Sequence, residues 1–232
     1  MCFSATASFV AGTALSVLGV ATLGATRRRA EIPFAAIPLI FGLQQIVEGA
    51  LWLSFRFDAP QLNLAMTYLF SMFSHVLWPI YVPFAIGFLE TVAWRRKVIW
   101  AFQAIGLLVG LYLLYLLIDF PVTAVAEENI VYVSPHFYKL PVMFLYLAAT
   151  CVSCFFSSHT TVRVFGALAL ILFGIAYGFF TLALFSVWCF FAAVLSALIF
   201  VHFKFGRRLG RNSATLGPMP ASMATRHHHN QS

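Results

Sequence analysis

Charge is what this sequence has least of. Fourteen basic and seven acidic residues make up only 9% of 232 positions, while 62% are hydrophobic and the mean hydropathy is +0.91. A soluble domain carries about 25% charged residues, and a 25.8 kDa globule has no way to hide this much apolar surface from water. The expected solvent is a bilayer. Cysteine is scarce as well: Cys2, Cys151, Cys154 and Cys189 form neither a secreted disulfide framework nor a zinc-finger spacing. The opening MCFSATASF lacks any basic residue, and Arg27, Arg28 and Arg29 follow the first apolar run instead. A cleaved signal peptide carries its charge in front, so the first segment is expected to be a retained helix with its N-terminus outside. The last apolar run has no interior lysine, which excludes a retinal Schiff base, and no internal repeat is visible.

What is present is a series of apolar runs long enough to span a membrane, which takes roughly 20 residues each. Seven fit, over residues 4–26, 32–55, 63–89, 98–118, 140–158, 162–179 and 184–203. The last two are nearly continuous, and only length divides them, near Tyr177 to Thr181. The net charge of +7 comes from short clusters between these runs, a pattern of membrane orientation rather than of nucleic-acid binding. With the N-terminus outside, 12 of the 14 basic residues fall on the inner side, leaving only Arg56 and Lys139 outside. The expected fold is therefore all-α: a seven-helix transmembrane bundle over residues 1–204, N-terminus outside and C-terminus cytoplasmic. The basic, polar stretch 205–232 is expected to be a flexible cytoplasmic tail, and its HHH at His227 to His229 reads as a surface tract. The long outer loop, 119–139, holds VTAV and NIVYV pieces that suit either a short hairpin or segments lying along the helix tops. A multi-pass protein of a bacterial inner membrane, in contact with membrane lipids, is the expected setting.

Inside this apolar background, FGLQQIVEGALW (41–52) holds an acid and two amides. Glu48 lies eight residues before Arg56, about 12 Å beneath the outer boundary at 1.5 Å rise per residue. Gln44, Glu48 and Trp52 share one helix face, with Gln45 beside it. An acid at that depth costs on the order of 2.5–3.5 kcal/mol on insertion scales. It should therefore face the bundle interior, protonated or hydrogen-bonded. On the third run, Ser71 and His75 share a face with Ser74 adjacent, and Ser71 falls at the level of Glu48. Trp188 and Cys189 start the seventh run about one turn below the outer face, where Cys2 also lies. A Cys2–Cys189 disulfide or a thiol site beneath a Trp188 rim both fit that placement. The CVSC of Cys151 to Cys154 sits mid-span, where small packing residues are the plain explanation and a metal site with His75 the sharper one. Tyr146, Thr150, Ser153 and Ser157 form a polar stripe of the kind that joins membrane helices. Tyr68, Phe70 and Phe73 would give a cavity at the Ser71 to His75 level aromatic walls, suited to a lipid-like ligand.

Taken together, MCFSATASF, the Q-x-x-E of Gln45 to Glu48, and FSVWCFFAAVLSALI at 185–199 resemble a family of uncharacterised small bacterial multi-pass membrane proteins that open with M-C-[FW]-S-A. The likeness covers nearly residues 1–203, with Cys2, Ser4, Gln45, Glu48, Trp78, Pro79, Trp188 and Cys189 on its motifs. Its members carry His where this chain has Gln44, and His75 is not part of the pattern, which favours a site at the outer Cys2–Glu48–Cys189 level. No activity follows from it. A looser likeness, to the alkaline ceramidase and adiponectin-receptor superfamily, rests on the S-x-x-x-H of Ser71 to His75. It implies seven helices and a histidine-bound zinc, but the H-x-x-x-H of the last helix is missing, because His202 stands alone. Zinc hydrolysis needs three protein ligands.

Three functions compete. Binding or transport of a small apolar or lipid-like molecule, through an outer-leaflet polar site near Glu48, stands first. A structural or accessory subunit stands second. A membrane hydrolase using zinc, copper or a thiol stands third.

Overall fold

The computed structural model describes residues 4–127, 129–133, 140–180 and 183–206. Among them, six helices are long and apolar enough to cross a membrane: α1 Ala5–Gly24, α2 Arg29–Arg56, α3 Pro60–Leu89, α4 Ala93–Asp119, α6 Thr160–Phe179 and α7 Leu184–Lys204. Between α4 and α6 lies α5, Leu140–Phe155, apolar but shorter. The chain is thus a helical bundle, a set of elements compatible with a multi-pass membrane protein. Several bounds shift from those expected from hydropathy: α2 and α3 each begin three residues earlier, at Arg29 and Pro60. α4 begins at Ala93 rather than 98, taking Arg95, Arg96 and Lys97 into its first turns, and α5 ends at Phe155, short of 158. Charged residues continue a helix backbone readily, so hydropathy marks the apolar core and not the helix end.

Ser4 caps α1 by accepting a hydrogen bond from the Ala7 N–H. α1 then lies against α2 along small residues. A Cβ placed on Gly12 would come within 2.9 Å of the Gly42 carbonyl oxygen, and one on Gly42 within 2.6 Å of Ser16 Oγ. Close backbone approach through small residues is how membrane helices gain packing contact. α3 and α4 meet in the same manner, where Gly106 lies directly on the Pro79 carbonyl. Burial separates centre from rim: 61% of the core window of α2 and of α3, and 56% of that of α7, is inside the bundle, against 28% for α1.

Three helices depart from ideal winding. α3 carries a π segment at Met72–Leu77, α5 one at Ala148–Val152, and α7 one at His202–Gly206. The α3 segment has a local cause. Its Trp78 N–H reaches the Phe73 carbonyl; the next N–H along would come from Pro79, which has none. The Ser74 carbonyl left over accepts from the Tyr146 hydroxyl of α5 at 2.5 Å.

At the end of the bundle where α2 meets α3, the chain turns through Asp58 at φ 48°, a left-handed conformation that Asp tolerates through its short polar side chain. A two-stranded antiparallel hairpin, β1 Thr123–Ala126 and β2 Ile130–Val133, covers this end, with Thr123 opposite Val133 and Val125 opposite Val131. Of the two arrangements open for loop 119–139, the hairpin is the one formed. Tyr132 stacks on Phe70 with ring centres 4.6 Å apart, and Ile130, Leu51 and Cys189 complete that small cluster. The opposite end holds Arg27, Arg28, Arg29, Arg95, Arg96, Lys97, Arg163 and Lys204, whereas Arg56 is the basic residue of the hairpin end among the described residues. Cys2, Lys139, the tail 207–232 with its histidine triplet, and Thr181 within the α6–α7 division lie outside the described residues.

Candidate functional site

α2 carries its polar residues inward. Gln44, Gln45 and Glu48 are wholly buried, and Trp52 is half-buried. Glu48 finds its partner on α7, where the Ser186 hydroxyl donates to Oε1 at 2.5 Å. Gln44 finds its own on α3, where Trp78 Nε1–H donates to the amide oxygen at 2.7 Å. The Trp78 indole is held in place by stacking on Phe41, ring centres 3.8 Å apart. Cys189 lies beside both Gln44 and Glu48 and is bonded to no other cysteine among the described residues; its pairing with Cys2 falls outside them.

The bonds are fewer than the polar atoms. Among the described residues, Gln44 Nε2, both amide atoms of Gln45, Glu48 Oε2 and Trp52 Nε1 are buried and make no hydrogen bond, and neither does Ser71 Oγ on α3. Gln45 lies beside the Glu48 carboxyl without a well-aligned bond to it. Hydroxyls at the α1–α2 seam, Ser8 and Ser16, are also unpartnered. There the small side chain serves close helix packing; no such reason explains an amide and a carboxyl. Each buried polar group left unpaired costs about 1–3 kcal/mol, and native interiors keep few of them. Five such atoms lie on three consecutive turns of α2, the densest group of them among the described residues.

Ser71 and Ser74 are fully buried, and His75 almost so. His75 Nδ1 lies 2.7 Å from Ser74 Oγ and 3.2 Å from the Ser71 carbonyl, and its ring packs on Phe185 of α7. Trp188 corrects an expectation: it is no rim but core, 5% exposed. Its Nε1–H donates to the Ala169 carbonyl of α6 at 3.0 Å, and its ring sits edge-on to Tyr146 and Phe173. A tryptophan near a membrane boundary suits the interface by composition, but a waiting carbonyl and two rings draw it inward. The combination of His75 with Cys151 and Cys154 does not form: among the described residues no three His, Cys, Asp or Glu gather as a metal site. Cys154 instead bonds the Thr150 carbonyl and packs against Gly166 of α6. The zinc that the looser family likeness implies has no ligand set here either, since His202 pairs with Thr161 and His159 at the basic end.

Below the α2 layer runs a narrow apolar cavity of about 30 Å³, bounded by Phe41, Trp78, Tyr146, Cys151, Trp188 and Cys189. Above it, at the hairpin end, opens a wider cavity of about 440 Å³, with Ser54, Asp58, Asn63, Thr67 and Thr123 set among apolar walls such as Phe55, Leu64 and Val122.

Two sets of residues escaped the sequence. Ser186 is the direct partner of Glu48, and its signal was its place three residues before Cys189, on the same face of α7. Glu90, at the basic end, accepts from the Ser158 N–H and hydroxyl and from the Val92 N–H at 2.6–2.9 Å, while Arg95 reaches the Phe156 and Ser157 carbonyls. Burial pushes the Glu90 carboxyl up, but these donors, with His159 nearby, hold it below the ordinary carboxylate value. That knot joins α3, α4 and α5 and is structural.

A bundle of helices this long and apolar, with polar side chains turned inward, is compatible with a multi-pass membrane protein. The chain belongs to a family of unknown function (DUF6629), whose profile matches residues 1–214. No curated protein and no solved structure matches it.

Proposed function

We propose that this protein binds or transports a small, lipid-like molecule whose polar end meets the Gln44, Gln45, Glu48 and Trp52 layer. Its apolar body would lie along the rings of Phe41, Trp78 and Trp188. The observation that carries this is the set of unpartnered buried polar atoms on α2, which offer both donors and an acceptor to one ligand. A cavity of about 30 Å³ has room for a water or two, not for such a ligand, which typically takes about 300 Å³ or more. Entry therefore requires helix movement, and the π segment of α3 beside Pro79 is the natural place for it, since such segments recur at functional sites. On this proposal the helices make seven spans with α5 included. The hairpin end faces outside and the basic end the cytoplasm of a bacterial inner membrane, following the bias of basic loops. A periplasm-only signal from a reporter fused after Ser232 would refute that orientation.

A structural role is the second reading, favoured by the bonds that already join α2 to α3 and α7 through Gln44 and Glu48. A metal- or thiol-dependent hydrolase stands third, and stoichiometric zinc or copper in the purified protein would revive it. Native mass spectrometry of protein taken from its own membranes separates the first two. Binding predicts a small-molecule adduct that Glu48→Gln loses while folding normally. A structural role predicts no adduct, a nearly silent Glu48→Gln, and a destabilised Glu48→Leu.

A further inference from the structure

The wide cavity at the hairpin end and the buried α2 layer are joined by one seam. On α3, Asn63, Thr67, Ser71 and His75 follow each other at intervals of four, so they line a single face. Asn63 and Thr67 border the cavity; Thr67, Ser71 and His75 are each at most 1% exposed. Asn63 donates to Ser54 Oγ of α2 at 3.0 Å, and Thr67 Oγ1 lies 3.5 Å from Asn63 Oδ1. The two helices run antiparallel, pinned by Ser54–Asn63 at one level and by Gln44–Trp78 at another. Glu48 lies between Ser54 and Gln44, so its level on α3 falls between Asn63 and Trp78, close to Ser71. Ser71 Oγ and Glu48 Oε2, both wholly buried, have no hydrogen-bond partner among the described residues.

We propose that this α2–α3 seam is a proton path that connects the Glu48 carboxyl to water at the hairpin end and closes before the basic end. A hydronium ion in the cavity gives its proton through water and the Thr67 and Ser71 hydroxyls to the Glu48 carboxylate. Each hydroxyl accepts one proton and passes on another; water remains behind and the carboxyl becomes neutral. Release runs in reverse. A hydroxyl is suited to this because it donates and accepts at once, and the turn of about 6 Å between Thr67 and Ser71 is a span that one water would bridge on this proposal. Below Glu48 the lining is mainly rings and aliphatic groups such as Phe41, Trp188 and Ala192, and its two hydroxyls are already committed, Tyr146 donating to the Ser74 carbonyl and Thr150 to the Tyr146 carbonyl. Among the described residues the titratable groups around Glu48 include Cys189 on α7 and His75 about a turn deeper on α3, with Asp58 at the cavity mouth and Arg56 two residues before it. This goes beyond ligand binding by naming the ion coupled to the site; it rests on the same carboxyl but not on any ligand.

The test is infrared hydrogen–deuterium exchange of the full-length protein in lipid, without added ligand, at a pH where Glu48 is protonated. Glu48→Gln identifies the carboxyl stretch by removing it. The stretch should shift promptly on transfer to D₂O. Thr67→Val should slow the shift at least about tenfold, a barrier increase of roughly 1.4 kcal/mol, and Thr67→Ser should restore it. Thr161→Val at the basic end should leave the rate unchanged. Equal rates in wild type and Thr67→Val, slowing by Thr161→Val instead, or no exchange in wild type would overturn the path. An adduct lost from Glu48→Gln alongside equal exchange rates would sink the path and leave binding standing; prompt exchange with no adduct would do the opposite.

Discussion

The Trp78–Gln44 bond offers the sharpest energetic test of the polar layer. Trp78→Phe keeps the ring against Phe41 and removes one donor, so the Gln44 amide oxygen loses the bond it accepts at 2.7 Å. In a soluble core an orphaned amide would cost about 1–3 kcal/mol. Within a membrane bundle the figure is lower, averaging about 0.6 kcal/mol with a maximum near 1.7, because the separated helices also find partners. The loss of ring area adds to the single-mutant cost, so a double-mutant cycle is required. Gln44→Leu removes the acceptor together with an amide nitrogen already unpaired; its own cost is therefore smaller than that of Trp78→Phe. With both changes made, no partner is left behind. The cycle should give a coupling of about 0.6–1.7 kcal/mol, read from reversible unfolding in mixed micelles. Additivity within about 0.3 kcal/mol would refute the bond as a determinant of the α2–α3 geometry.

Three further outcomes follow from the packing. Gly106→Ala places a Cβ against the Pro79 carbonyl, which is backbone and cannot yield, so it should cost about 1–3 kcal/mol; Gly174→Ala meets nothing within 4 Å and should be neutral or stabilising by about 0.5–1 kcal/mol, with an unchanged or raised thermal unfolding midpoint. Because the folded Glu90 carboxyl lies below its ordinary value near 4.5, its contribution is present above that value and lost as pH falls through the lowered one; Glu90→Gln should flatten this acid limb of the stability curve, and an unchanged limb would count against the knot. If Cys2 reaches the level of Cys189, a short bifunctional thiol reagent should join them in the intact protein, and Cα atoms more than about 7 Å apart would exclude a direct disulfide.

Much of the bundle could be read from hydropathy, because a span is a property of composition along about 20 residues. The inward direction of Glu48 could be read too, since exposure of an acid to lipid is costly at any register. Which atoms it meets could not. Ser186 becomes the partner through the rotation of α7 about its axis, and sequence period fixes that rotation only when apolar and polar faces contrast. In FSVWCFFAAVLSALI, nearly every face is apolar. The π segments were equally hidden. Pro79 signals that a donor is missing, but only the nearness of Tyr146 decides how the Ser74 carbonyl is satisfied. Trp188 shows the same limit, since nothing in its run marked it for the Ala169 carbonyl of α6.

A map of the protein in lipid, at a resolution that shows ordered water, tests the central claim most directly. If the layer on α2 is a working site, non-protein density lies within hydrogen-bond distance of Glu48 Oε2 and the Gln45 amide, extending toward Phe41 or toward Ser71. A dry layer, with the Gln45 amide and Glu48 closed on one another and on protein atoms alone, would contradict it and leave these residues as packing.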